Sequence, residues 1–391
     1  MENRIERILI TPAGGNNFED QLLSILNQID VYKTNNDQFI LQLSFFIDAN
    51  NNIEYLKYYH HITGISLDIL NIEPSISIIA QAPANGIQVS LELILLTHKS
   101  EETRIVYKKE KGVSYTLVQT DKAKEVYAGG VSSRNFEADF SVQVDECYQL
   151  MESILSAEKL AFSDIVRQWN YVENILSLYK YGKEHVQHYQ VLNDIRSKYY
   201  SKADFYNGYP AATGIGMDSG GPILEFYAVQ STPAVDIVPI KNPKQIDAYD
   251  YSEAVLVGDA LEKHHKKTTP KFERAKYCSV NGISSVFISG TAAIQNEKTL
   301  GINDIRLQTE ITLENIANLI DKLNLENMGI RYFKDQVKYT FIRVYIKEKK
   351  NIPVVGKICS EYYGNIPIHY LVADICRDDL LLEIEGVAEI G

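Results

Sequence analysis

Near its C-terminal end the sequence runs Ala373-Asp-Ile-Cys-Arg-Asp-Asp-Leu-Leu-Leu-Glu-Ile-Glu385, which brings a thiol, a guanidinium and a carboxyl into one short stretch. Leu380-Leu-Leu382 and Ile384 read as a strand buried on both faces, with Glu383 embedded in it. An unpartnered carboxylate in such surroundings is costly enough to take up a proton, so Glu383 is either on an exposed face or in a site. A carboxyl that keeps its proton near neutrality is a general acid. Cys376 precedes Glu383 by seven residues and Arg377 adjoins it, so acid, thiol and cation can meet at one end of one strand. Taken alone, a single Cys is more often a small core residue than a reactive one.

The rest of the chain must position these groups. Its 391 residues suffice for about two or three domains. With 45% hydrophobic and 23% charged residues the composition is that of a globular protein, which excludes disordered and fibrous classes. A net charge of −12 without a basic stripe argues against nucleic-acid and anionic-membrane partners, so an anionic small molecule would need a local Arg cluster. The first residues contain no apolar signal region and no apolar run approaches the length of a membrane span, which predicts a cytoplasmic protein. Cys147, Cys278, Cys359 and Cys376 lie far apart with no C-x-x-C pair, as expected of reduced thiols and not of a zinc site. His264-His265, in a Lys-rich loop, lacks metal-ligand spacing, so no metal is expected there.

Periodicity predicts an α+β chain in four parts. Residues 1–122 alternate short strands such as Phe39–Ile47, Ser75–Ala80 and Val89–Leu96 with turns, and end in a charged hairpin. Residues 123–231 read as strand, helix, strand, helix, strand, strand, from Val126–Val131 to Pro222–Val229. Residues 232–272, with Pro233, Pro239, Pro243 and Lys263–Lys267, read as linker and surface loop. Residues 273–391 repeat the six-element order, with Val286–Ala292 answering the first strand and Leu381–Glu385 the last. The interval from Pro210 to Glu225 is one position short of that from Pro367 to Glu383, which pairs those two carboxylates. Glu92, at a slightly longer interval after Pro74, marks a third, degenerate copy in residues 1–122.

The Ser289-Gly290 strand end, the Gln308-Thr-x-x-Thr-Leu-x-Asn-Ile316 helix and the Leu-x-Glu-Ile-Glu385 strand resemble the Rid/YjgF family of small α/β proteins that assemble as trimers. Trp169-Asn-Tyr171, Tyr189-x-x-x-Asn193-x-x-Arg196, Tyr209-Pro-Ala-Ala-Thr-Gly-Ile-Gly216, Lys271-Phe-Glu-Arg-Ala275 and Ala373–Arg377 with Glu383 resemble the chorismatases more closely. That resemblance implies fused Rid-type (chorismate-mutase-like) domains in a pseudo-trimeric arrangement within one chain, acting as a monomer on chorismate without a cofactor. It also implies pyruvate release with Glu383 as general acid. By the same resemblance, a Cys seven residues before the Glu marks 3-hydroxybenzoate formation, whereas a small aliphatic residue there marks hydrolysis to a dihydroxycyclohexadiene acid. The two substrate carboxylates call for guanidinium partners, and Arg377, Arg343, Arg274 and Arg196 are the candidates. Tyr189 belongs to the chorismatase-like motif, and Gly290 and Thr291 are expected to line the ring pocket. Imine-deaminating Rid enzymes carry a substrate-clamping Arg where this chain has Ala212 and His369, which ranks that activity second, and a non-catalytic ligand-binding role on Rid-like domains is the third reading.

Overall fold

The computed structural model describes residues 4–33, 38–97, 100–181, 184–259, 267–330 and 337–390. Twenty strands and seven helices follow the chain among these residues. The first unit comprises β1 (Arg4–Ile10), α1 (Phe18–Lys33), β2 (Gln38–Ile47), α2 (Asn52–Leu70), β3 (Ser75–Ile79) and β4 (Val89–Thr97). A hairpin, β5 (Arg104–Glu110) and β6 (Val113–Gln119), leads to the second unit. This comprises β7 (Lys124–Ser132), α3 (Phe140–Ala157), β8 (Ile165–Glu173), a ribbon of β9 (Leu178–Tyr181) and β10 (Glu184–Gln187), α4 (His188–Tyr200), β11 (Ala211–Met217) and β12 (Pro222–Val229). After β13 (Asp236–Ile240) and β14 (Ala275–Val280), the third unit begins with β15 (Ile283–Thr291), a short ribbon β16 (Ile294–Gln295) and β17 (Lys298–Thr299), and α5 (Ile305–Leu319). It ends with α6 (Lys322–Asn327), β18 (Val337–Ile346), α7 (Ile352–Tyr363), β19 (Ile368–Val372) and β20 (Leu382–Ile390).

The three sheets share one plan, with strand orders β1-β4-β2-β3, β7-β12-β8-β11 and β15-β20-β18-β19. Only the outer pair of each is parallel: β2 with β3, β8 with β11, and β18 with β19. Helices cover one face of each sheet, and three separate apolar cores form there. The opposite faces pack on one another through Leu41 and Leu96 of the first sheet, Tyr127, Val166 and Tyr227 of the second, and Phe287 and Val387 of the third. Covering on both faces explains why the central strands are apolar runs and do not alternate.

Two boundaries differ from the sequence reading. The hairpin β5–β6 pairs with β7 and so extends the second sheet, although its charged composition places it with residues 1–122. Within residues 232–272, read as linker, β13 pairs antiparallel with β14 and widens the third sheet. His264 and His265 lie outside the described residues.

Register also changes which carboxylates correspond. Each unit carries an irregularity in the pairing of its last strand, at Ile94, Tyr227 and Val387. Two residues before it stand Glu92, Glu225 and Glu385, opposite Ser44, Trp169 and Arg343. The repeated carboxylate is therefore Glu385, not Glu383, and the interval from Pro367 to Glu385 equals that from Pro74 to Glu92. The place of Glu383 is taken by Ser90 in the first unit and Ile223 in the second. The sequence intervals misled because the loop between the last two strands differs in length from unit to unit.

Glu92, Glu225 and Glu385 meet in a cavity between the three sheets, enclosing about 500 Å³ together with Arg7, Arg167 and Arg343. Burial alone would raise the Glu92 carboxyl, but Arg343 and His369 hold it down at about 2. His369 Nδ1 lies 2.6 Å from Glu92, and its Nε2 lies 2.9 Å from the Ser90 hydroxyl. Burial pushes Glu225 up, and it accepts from Ser44 at 2.7 Å and Tyr171 at 3.1 Å.

Candidate active site

A second cleft, enclosing about 700 Å³ that is partly open to solvent, lies between the second and third units. The strand β11 brings Ala212 and Gly214 to it, and β15 brings Gly290. The two strands are joined where the Ser289 hydroxyl accepts from Ala212 N at 2.9 Å. Alternate glycines on β11 leave room for what crosses it. A Cβ at Gly214 would lie 2.7 Å from the Tyr189 ring, and one at Gly216 would lie 2.7 Å from the carbonyl oxygen of Asp374. Gly216 N donates to that oxygen at 2.8 Å, which fixes the start of the segment carrying Cys376 and Arg377. From the other side, the buried amide of Gln308 on α5 donates to Asp379 O at 2.9 Å and accepts from Leu381 N at 2.8 Å. The segment before β20 is thus pinned at both ends.

Glu383 is the second residue of β20 and is 5% exposed. Its carboxyl lies directly over Gly290, where a Cβ would collide with Oε1. No hydrogen bond to this carboxyl occurs among the described residues, and it lines the cleft. Burial, and next the neighbouring Glu385, push it up to about 8, against the opposing pull of Arg167 and Arg274. At neutral pH it holds a proton. Burial, then Glu383, push the Cys376 thiol up to about 12, so this side chain is a neutral wall and not a thiolate nucleophile. Burial likewise raises the Tyr189 phenol, which stays protonated as a donor.

Two guanidinium groups share the cleft. Arg377 donates to Glu297 O at 2.7 Å and stacks 5.2 Å from the Tyr251 ring centroid. Arg274 donates to the Tyr251 hydroxyl at 2.6 Å and to Ile246 O, and its buried Nε has no partner among the described residues. Tyr251 therefore holds both cations on one wall. Of the residues singled out in the sequence, Glu383, Cys376, Arg377, Arg274, Tyr189 and Gly290 line this cleft, and Thr291, Arg196 and Arg343 do not. The Thr291 hydroxyl is turned to Ser289 O at 2.9 Å. Arg196 is buried, with one bond to Asn193 Oδ1 at 2.5 Å and an Nε that meets no partner among the described residues. Arg343 belongs to the cavity between the sheets, where Glu92 and Glu385 occupy it, so it is not free for a substrate carboxylate in the cleft.

Sequence reasoning missed Tyr251 and Val255-Leu-Val257, which close the cleft from the segment read as linker. Their signal was present but weak: a Tyr and three aliphatic residues in a segment otherwise rich in Pro and Lys. Among the described residues no group of three or more His, Cys, Asp or Glu is placed to hold a metal, and no helix is long and apolar enough to cross a membrane.

The layered three-unit fold and its inter-unit cleft define an α+β chain of the chorismatase fold. A crystal structure of a chorismatase superposes with a TM-score of 0.69 over 100% of this chain and 99% of its own, at 19% identity. Residues 96–229 match the family model described as chorismatase FkbO/Hyg5-like, N-terminal. A 3-hydroxybenzoate synthase of Streptomyces hygroscopicus is 31% identical over 239 residues, and a chorismatase of Streptomyces rapamycinicus is 32% identical over 233. These matches cover 59% and 58% of this chain and 65% of each relative, just under two-thirds of their length.

Proposed function

We propose that this protein converts chorismate to 3-hydroxybenzoate and pyruvate, with Glu383 as general acid. The observation that carries this reading is a buried carboxyl, without a hydrogen bond among the described residues and with its proton affinity raised by burial, facing a cleft that also presents two guanidinium groups. Chorismate is a dianion bearing an enol ether, so it needs cations at its carboxylates and a proton at its methylene carbon. Arg274 and Arg377 supply the first and Glu383 the second. Proton transfer from Glu383 to the methylene carbon leaves an oxocarbenium ion. The vicinal ring hydroxyl then attacks the ether-bearing ring carbon and the C–O bond to the three-carbon unit breaks, releasing pyruvate. The hydroxyl proton returns to the Glu383 carboxylate. The resulting arene oxide opens, and the ring carbon that keeps the oxygen loses its hydrogen, giving the 3-hydroxy acid. The two products together contain all the atoms of chorismate, so no water enters.

Cys376, neutral and on the cleft wall, is assigned to steering the oxocarbenium ion toward the ring hydroxyl and away from water. The names of the similar Streptomyces proteins support the substrate. Ala212 in the cleft offers no clamp for the carboxylate of a small imine, and His369 is turned to Glu92 and Ser90. The test is incubation of the purified protein with chorismate, followed by chromatography of the aromatic product and assay of pyruvate. Wild type is expected to give 3-hydroxybenzoate, and Cys376→Ala to shift product toward the diene diol. Unchanged chorismate would overturn the reading, and an identical product from Cys376→Ala would remove the thiol from product control.

A further inference from the structure

Glu385 lies two residues along β20 from Glu383, and strand alternation puts both side chains on one face. Their surroundings differ completely. Glu385 accepts from Arg167 at 2.5 Å, Arg343 at 2.7 Å, the Trp169 indole at 2.9 Å and the Tyr345 hydroxyl at 3.2 Å, and also from Thr213. Five donors saturate the lone pairs of one carboxylate. The Thr213 hydroxyl also accepts from Gly290 N at 3.0 Å, and Gly290 is the residue on which the Glu383 carboxyl rests. A short hydrogen-bonded path thus runs from the clamped carboxylate to the floor beneath the free one.

The groups facing Glu383 come from every neighbouring element. They are Glu385 on its own strand, Tyr345 opposite on β18, Arg167 on β8, Arg274 before β14, Cys376 and Arg377 before β20, and Tyr189 on α4. Arg167 is turned to Glu385, while Arg274 and Arg377 are engaged by Tyr251 and by carbonyl oxygens. We propose that Glu385 is a positioning residue: it draws Arg167 and Arg343 to itself and sets a fixed negative charge on the Glu383 face, so that the proton stays on Glu383 for delivery into the cleft. This rests on the reading of Glu383 as the general acid. Glu92 and Glu225 hold the same register position in the other two units without a carboxyl two residues before them, so the third unit puts a shared internal carboxylate to a second use.

The test is infrared titration of the full-length protein, with Glu383→Gln identifying the band of the protonated Glu383 carboxyl. In wild type the band is expected to persist to about pH 8. Glu385→Gln should move its loss down by roughly two pH units, from the Coulomb energy of charges about 7 Å apart at an effective dielectric constant near 20. Glu385→Asp, which keeps the charge, should retain most of the wild-type position. A wild-type band lost near pH 5, or a folded Glu385→Gln protein that titrates as wild type, overturns the proposal. Should Glu385→Gln not fold, Arg167→Gln takes its place: an upward shift supports the proposal and none overturns it. The band needs no turnover, so a protein inert toward chorismate would count against the proposed function while leaving this result to stand by itself.

Discussion

The Glu383 carboxyl lies so close over Gly290 that a β-carbon there would collide with Oε1. Thr213 Cγ2, at 3.1 Å from the same point, closes the way out. Gly290 is not among the positive-φ residues, so alanine is tolerated by the backbone and its only effect is contact. Gly290→Ala is expected to lower kcat by ~10²-fold through displacement of the acid, with the fold retained. Pyruvate release and a thermal melt check this together, and wild-type turnover in the folded variant would contradict the placement of the acid.

The raised Glu383 proton affinity predicts a pH dependence with a definite sign. In the proposed reaction the acid works while protonated, so kcat/KM should fall as pH rises through about 8, and Glu383→Gln should lose ~10²–10⁴-fold. For stability, the folded state keeps this proton between the ordinary Glu range and about 8 while the unfolded chain has lost it. Stability contributed by the group is therefore present at low pH and declines as pH rises through that window. Glu383→Gln removes the penalty and should be more stable than wild type at pH 7 by about 3 kcal/mol or less. Urea unfolding of both proteins at pH 4 and pH 7 tests this, with the gap expected only at the higher pH.

Tyr251 joins the two cleft guanidiniums, donating no charge but fixing both. Arg274→Ala and Arg377→Ala should each raise KM for chorismate by ~10–100-fold, the loss of one charge-assisted carboxylate contact. Tyr251→Phe, which removes only the hydroxyl that Arg274 meets, should raise KM by a smaller factor with kcat nearly kept. Steady-state kinetics on the three variants checks the order, and equal KM values throughout would remove this wall from substrate binding.

Arg343, buried between Glu92 and Glu385, is expected to matter for stability. Arg343→Met leaves two buried carboxylates short of a partner and should destabilise the fold by ~3–5 kcal/mol, read by urea unfolding. A variant of unchanged stability with a raised KM would instead return Arg343 to the substrate.

The repeated six-element order was legible because each strand and helix has its own period, and the three sheets follow one strand order. Glu383, Cys376 and Arg377, which line the cleft, were legible because a carboxyl stands inside an apolar strand with a thiol and a cation just before it, whereas Tyr189 was singled out by the resemblance to the chorismatases alone. Arg274 and Arg343 looked alike in sequence, each in an apolar strand. They separate only because Arg274 stands just before β14, at the strand end that faces the cleft, whereas Arg343 lies within β18, facing the other sheets. Tyr251 could not be placed from sequence, because a segment without period carries no information about the surface it covers.

What the sequence determined by itself was the unit and its chemistry: an apolar strand with a carboxyl inside it, preceded by Cys376 and Arg377, at the end of a repeated α+β pattern. Tertiary structure alone decided which carboxylate does what. Alternation along β20 puts Glu383 and Glu385 on one face. One of them is surrounded by five donors at the meeting of three sheets, and the other is left over a glycine at the edge of a cleft. Proton affinity follows from burial and neighbouring charge, and those come from chain segments as distant as Arg167 and Arg274, which no local pattern can bring together.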